Sequence, residues 1–285
     1  MTEGPRPPAG PASVPPPGAP AAGSEPPPVA LHDTGGGPAL LLLHAFPLDA
    51  SQWDHQVAVL SADRRCLRPD FWGCGASPAL GEPGAATLDL YADAVLRRLD
   101  AAGVGEVVAV GSSMGGYAVF SLLRRAPERV RAVVLAGTRA TPDTPQQAGN
   151  RRRMAELALR DGAETAVTMV SRLLGPRARE EPHIRDAVEG RIRRCRPEGI
   201  AACQSAMAAR PDSTALLAGL RIPLLVVRGE HDAILSAEEA RAMAEASPGA
   251  ELAVLPGVGH LANLEDPEGF SGVLGAFLRR VAVRG

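Results

Sequence analysis

Residues 106–116 run Glu-Val-Val-Ala-Val-Gly-Ser-Ser-Met-Gly-Gly, an apolar stretch that breaks into Gly111-Ser112-Ser113-Met114-Gly115. Val107–Val110 is β-branched and alanine-containing, as expected of a strand buried on both faces. Tyr117–Arg125 then carries apolar residues at helical spacing. A Gly-x-Ser-x-Gly between a buried strand and a helix forces a sharp turn. That turn holds the serine hydroxyl clear of the sheet edge, where a base can reach its proton. The paired glycines let helix and strand approach closely. A plain glycine-rich turn has the same local signature, so the rest of the chain must decide.

The surrounding pattern alternates. Strands are expected near 39–43, 64–68, 106–110, 131–136, 223–228 and 251–255, and helices near 51–60, 87–102, 115–126, 236–246 and 267–281. Alternation of this kind calls for a parallel sheet with helices on both faces. Two further strand ends carry chemistry. Pro223–Gly229 runs into Glu230-His231-Asp232, and Leu252–Leu255 leads through Pro256-Gly257-Val258-Gly259 to His260. Open α/β sheets gather their sites past the carboxyl ends of their strands. Ser113, Asp232 and His260 follow one another in the chain order of a nucleophile, acid and base relay. Singly, Asp232 reads as a turn residue before a helix and His260 as a loop residue bonded to backbone. Residues 139–210 break the rhythm and read as Arg-rich amphipathic helices near 147–160, 163–174, 182–194 and 197–209.

On these residues the chain resembles the α/β-hydrolase superfamily over nearly all of residues 29–282. Leu40–Pro47 looks like that family's strand and H-G-x-P loop, and Asp70–Ser77 like its D-x-x-G-x-G-x-S loop. Gly111–Gly116 and Gly259–Glu268 look like the nucleophile elbow and the histidine segment, most as they occur in 3-oxoadipate enol-lactonases and small carboxylesterases. The resemblance implies an α/β-hydrolase fold, with a mostly parallel sheet, helices on both faces and a helical lid. The core would span 29–138 and 211–285, and the lid 139–210. It implies a serine hydrolase cleaving a carboxylic ester or lactone through an acyl-enzyme on Ser113, with Asp232 and His260 completing the triad. The oxyanion hole would use the N–H groups of Phe46 and Met114, and the substrate pocket Trp72 and His44. No cofactor or metal is implied. Thioester or C–C cleavage, and a ligand-binding receptor of the same fold, are alternatives that use the same residues. Ser113 stands where epoxide hydrolases and dehalogenases of this fold have Asp, which argues against both. Ala45 stands where the family has Gly, and its Cβ is expected to restrict the loop and re-aim one oxyanion donor slightly.

Net charge of −2 gives no electrostatic pull toward nucleic acid or an anionic membrane. The partner is expected to be a small molecule, and the sequence says nothing of oligomeric state. All 30 basic residues are Arg, so a lysine Schiff base and a Walker A lysine are both excluded. Cys66, Cys74, Cys195 and Cys203 lack metal-ligand spacing and read as reduced packing thiols of a cytoplasmic protein. Residues 1–28 hold eleven of the 27 prolines and read as a disordered tail, without the basic and apolar regions of a signal peptide. Arg151-Arg152-Arg153 reads more simply as a solvated helix face than as an anion site. Met154, Leu157, Met169, Leu173 and Met207 read either as acyl-pocket lining or as ordinary packing within the inserted helices.

Overall fold

A computed structural model describes residues 25–283. In chain order the core contributes β1 (Leu31–Thr34), β2 (Ala39–Leu43), α1 (Asp54–Leu60), β3 (Arg65–Pro69), α2 (Leu88–Ala101), β4 (Val107–Ser112), α3 (Met114–Arg125) and β5 (Val130–Ala136). There follow α4 (Pro145–Asp161), α5 (Glu164–Val167), α6 (Val170–Leu173), α7 (Pro176–Glu180), α8 (Pro182–Arg194), α9 (Pro197–Ala208) and α10 (Thr214–Gly219). The core resumes with β6 (Leu224–Gly229), α11 (Ala237–Ala246), β7 (Glu251–Leu255), α12 (Ala262–Glu265) and α13 (Pro267–Val283). The strand order is β1-β3-β2-β4-β5-β6-β7, with β1 antiparallel to β3 and every other pair parallel. This is an α/β-hydrolase fold.

The period of two along each strand builds two cores. Leu41, Leu43, Ala109, Val133 and Val226 face one way, onto Tyr91 and Val95 of α2, Phe120 of α3 and Met243 of α11. Leu40, Leu42, Val110, Val134 and Val227 face the other, onto Trp53, Val57 of α1 and Phe270, Leu274 and Phe277 of α13. Burial of an aromatic or branched side chain contributes about 1.5–3 kcal/mol, so sandwiching the sheet is the main force for this topology.

Three sequence expectations need correction. The strand expected at 106–110 runs on to Ser112, because Gly111 and Ser112 still pair with Leu135 and Ala136 of β5. The single helix expected at 163–174 is two short turns, α5 and α6. Thr165 and Thr168 bond their hydroxyls to the carbonyls of Gly162 and Thr165, and the β-branched Thr and Val residues weaken the helix there. Of the expected tail, residues 1–24 lie outside the described residues, while 25–28 are held on the core. The Trp72 indole N–H donates to the Pro27 carbonyl at 2.8 Å, Glu25 pairs with Arg97, and Val29 is buried.

The helices between β5 and β6 are tied down at several points. Arg196 N–H donates to the Gly73 carbonyl, and the Gly73 and Gly199 backbones touch so closely that neither position has room for a Cβ. Cys74 Sγ lies 3.9 Å from Cys203 Sγ on α9, inside the seam between core and insertion. All four thiols are free and buried, and burial pushes the Cys66 thiol up to about 11.

Candidate active site

Ser113 ends β4 and precedes α3, and it is the one non-glycine residue among those described with a positive φ, at 51°. Such a conformation costs an L-residue about 1–3 kcal/mol and persists only where the surroundings enforce it. Here they do. The Ser113 N–H donates to the Ala136 carbonyl at 2.8 Å, and the Thr138 hydroxyl donates to the Ser113 carbonyl at 2.7 Å. Gly111, Gly115 and Gly116 close the turn: a Cβ on them would strike the backbone of 115–116, the Leu43 carbonyl and the Thr138 side chain respectively.

Asp232 and His260 are brought together by lacing between the loops after β6 and β7. The N–H groups of Glu230 and His231 donate to Leu255 and Val258, and Gly257 donates back to the Glu230 carboxylate. His260 Nδ1 then lies 2.9 Å from both oxygens of Asp232, and both side chains are almost fully buried. Asp232 also accepts from the N–H groups of Ile234 and Leu235. Burial alone would raise its pKa. The facing His260 and the two backbone donors outweigh burial and hold the carboxyl below its ordinary value. The His260 ring packs on Gly137, where a Cβ would come within 3.1 Å of Nδ1. Residues 136–138 therefore touch both Ser113 and His260. His260 Nε2 is buried with no partner among the described residues.

The N–H groups of Phe46 and Met114 have no hydrogen-bond partner among the described residues, and Met114 occupies the first turn of α3, where helix geometry leaves donors free. Ala45, one residue from Phe46, is fully buried and does not adopt a positive φ, so the alanine sits there without the backbone strain its Cβ suggested. The two other pocket candidates have a different surrounding. Trp72 is buried against Phe71 and Tyr91 with its N–H spent on Pro27. His44 accepts the Phe71 N–H at Nε2, 2.9 Å away, which leaves Nδ1–H to donate to the Ala45 carbonyl. Both brace the loops through these bonds.

Sequence reading missed the polar frame behind the site. Gln52 is fully buried. It accepts the Ala45 N–H at 2.7 Å and donates to the Ser112 hydroxyl and to Asn263, each at 3.0 Å. Asn263 returns a bond to the Gln52 carbonyl and reaches Gln56, which holds Ser271. One amide thus joins the loop of Phe46, the neighbour of Ser113 and the segment after His260. A glutamine pair four residues apart around Trp53 is the signal that was available. A second missed residue is Glu265, whose Oε2 accepts the N–H groups of Gly175 and Gly259. The Leu173 carbonyl at the end of α6 meanwhile accepts those of His260 and Leu261. Asp70 knits its own loop, accepting from Ala50, Ala76 and His32. Among the described residues no cluster of three or more His, Cys, Asp or Glu is grouped to hold a metal ion.

The family model of the alpha/beta hydrolase fold matches residues 38–267, and the chain belongs to that family. It is an α/β-hydrolase enzyme, similar to small esterases and enol-lactonases. A thermophilic esterase from Thermogutta terrifontis, solved with malate bound, superposes with a TM-score of 0.84 at 38% identity, over 89% of this chain and 93% of that one. The enol-lactonase from Burkholderia xenovorans gives 0.80 at 27%, over 88% and 96%. The pimeloyl-[acyl-carrier protein] methyl ester esterase of Aromatoleum aromaticum is 28% identical over 244 residues, 81% of this chain and 94% of its own length.

Proposed function

We propose that this hydrolase cleaves a carboxylic ester or lactone through an acyl-enzyme on Ser113. The observation that carries the reading is the histidine: Nδ1 is engaged by both oxygens of Asp232, while Nε2 is buried and unpartnered among the described residues. An imidazole fixed in that way has one nitrogen free to accept a proton. His260 takes the Ser113 proton as Oγ attacks the carbonyl carbon, then returns it to the leaving alcohol. Asp232 holds the tautomer and stabilises the imidazolium. The N–H groups of Phe46 and Met114 receive the oxyanion, a contribution of about 2.7–4 kcal/mol to the barrier for each donor. Water, with His260 again as base, releases the acid. The activities of the esterase, enol-lactonase and methyl ester esterase relatives agree with an ester or lactone bond. The helices at 139–210 act as a lid over Ser113, and the four free thiols fit a cytoplasmic setting.

A fluorophosphonate probe together with hydrolysis of p-nitrophenyl butyrate tests this. The folded protein should be labelled on Ser113 and should turn over the ester, and Ser113→Ala should lose both. Labelling that survives Ser113→Ala removes Ser113 from the role. A wild type that labels but turns over no ester or lactone removes the hydrolytic reading of these bonds.

A further inference from the structure

Between the inserted helices and the loops after β5 and β6 lies a cavity of about 230 Å³. Its walls are close in sequence to contacts of the candidate site. Arg139 follows Thr138, whose hydroxyl holds the Ser113 carbonyl. Ile234 donates its N–H to Asp232. Met169 lies one helical turn before Leu173, whose carbonyl accepts the His260 N–H.

The cavity is rich in hydrogen-bond donors and poor in free acceptors. Its carboxylate, Asp143, is already taken: Arg210 pairs with it at 2.8 Å from behind, and Arg151 pairs with it from the lining. Those two guanidiniums overcome the effect of burial and keep the Asp143 carboxyl below its ordinary value, so it stays ionised and saturated. Arg151 also engages the Gln204 amide oxygen at 3.2 Å. That fixes the orientation of the amide and leaves its NH₂ without a partner among the described residues, on a side chain that is 3% exposed. Arg139 Nε is buried and unpartnered, while the rest of its guanidinium lies beside Tyr117 and, 3.8 Å away, Glu239. Arg172, also in the lining, makes no ion pair among the described residues. Four guanidiniums therefore meet two carboxylates. Arginine has no acceptor of its own, so the incoming group best matched to these donors is one that brings oxygen atoms and negative charge. Met154, Met169 and Ile234 supply an apolar wall on which a short methylene chain can lie.

We propose that this cavity is the acyl subsite and that it selects a carboxylate. The substrates would be half-esters of short dicarboxylic acids, with the scissile carbonyl at Ser113 and the free carboxylate among Arg139, Arg172 and Gln204. The proposal rests on the ester-hydrolase reading above. Guanidinium–carboxylate pairs are charge-assisted and directional. An acyl chain ending in a methyl group would leave the buried Arg139 Nε unpaired and displace water from Arg172, so the site disfavours the neutral analogue as well as attracting the anion. Discrimination of about 10- to 100-fold in kcat/KM follows from one such charged hydrogen bond.

Monoethyl glutarate and ethyl valerate test this directly, since they differ only in carboxylate against methyl at the far end. Acid release is followed by titration. The wild type should favour monoethyl glutarate by about 10- to 100-fold in kcat/KM, and the ratio should fall with salt. Arg172→Gln should lower the ratio by about tenfold. Arg172 is exposed and without an ion pair, so this variant should fold as the wild type does. Cleavage of ethyl valerate without preference for glutarate overturns the subsite and leaves the ester-hydrolase reading standing. So does a preference that Arg172→Gln and Arg139→Gln both leave unchanged. If neither ester is cleaved, the hydrolase reading of these bonds falls, and glutarate binding by calorimetry decides the subsite. Binding that Arg172→Gln weakens upholds it, and no binding overturns it.

Discussion

A single amide, Gln52, shows how much of the site rests on residues that do no chemistry. Its three bonds reach the loop of Phe46, the residue before Ser113 and the segment after His260. Leucine has a similar volume but makes none of these bonds. Gln52→Leu would leave the Ala45 N–H unsatisfied in a dry interior, a cost of about 1–3 kcal/mol for that group alone. The expected outcome is a lower urea midpoint at unchanged slope, with kcat reduced more than KM is raised, because a displaced Phe46 N–H, the proposed oxyanion donor, would matter most in the transition state. A variant with normal kcat and only lowered stability would limit Gln52 to packing. The candidate chemical residues were legible because each stands at the end of an apolar strand beside glycine. Gln52, Asn263 and Glu265 were not. A polar side chain on a helix or loop reads as solvent-facing unless the tertiary neighbours that satisfy it are known.

Among the elements, Glu265 at the end of α12 joins the Gly175 N–H between α6 and α7 to the loop before His260, and the junction is sensitive to pH. Burial raises the Glu265 carboxyl above its ordinary value, against the pull of the Gly259, Gly175 and Leu261 N–H groups. A raised carboxyl binds its proton more tightly in the folded chain than in the unfolded one. Its favourable contribution is therefore full below the unfolded pKa and disappears as pH rises through the folded one. Glu265→Gln carries no such dependence. Urea unfolding between about pH 4 and pH 7 should show the wild type losing stability relative to Glu265→Gln as pH rises. A difference that is constant or opposite in sign would show that the carboxyl is not held up by burial. The central strands β2, β4, β5 and β6 were readable to within two residues because burial on both faces demands apolar runs. The inserted helices were harder. Arg151 reads as one of three solvated arginines, yet it turns inward to Asp143 while Arg152 and Arg153 stay exposed. Only the position of Asp143, across a turn, distinguishes them.

Over the whole molecule, the boundary between tail and core falls earlier than composition suggests. Deleting residues 1–24 should leave the melting temperature unchanged, since that composition has too little apolar surface to build a core. Deleting 1–28 removes the Pro27 carbonyl and strands the Trp72 N–H inside an aromatic cluster, at about 1–3 kcal/mol. Denaturant unfolding of the two truncations should separate them, and equal stabilities would show that Pro27 is dispensable. The insertion is also more than a removable cover. The Leu173 carbonyl satisfies the His260 N–H, so excising 139–210 would loosen the histidine along with the proposed acyl subsite. The seam where Cys74 meets Cys203 gives this wiring a clock. No reagent reaches those sulfurs while core and insertion stay closed, whereas Cys66 lies beneath the sheet and requires that the sheet itself come apart. Two alkylation rates in one chain would thus time two events, the parting of the insertion and the loss of the fold.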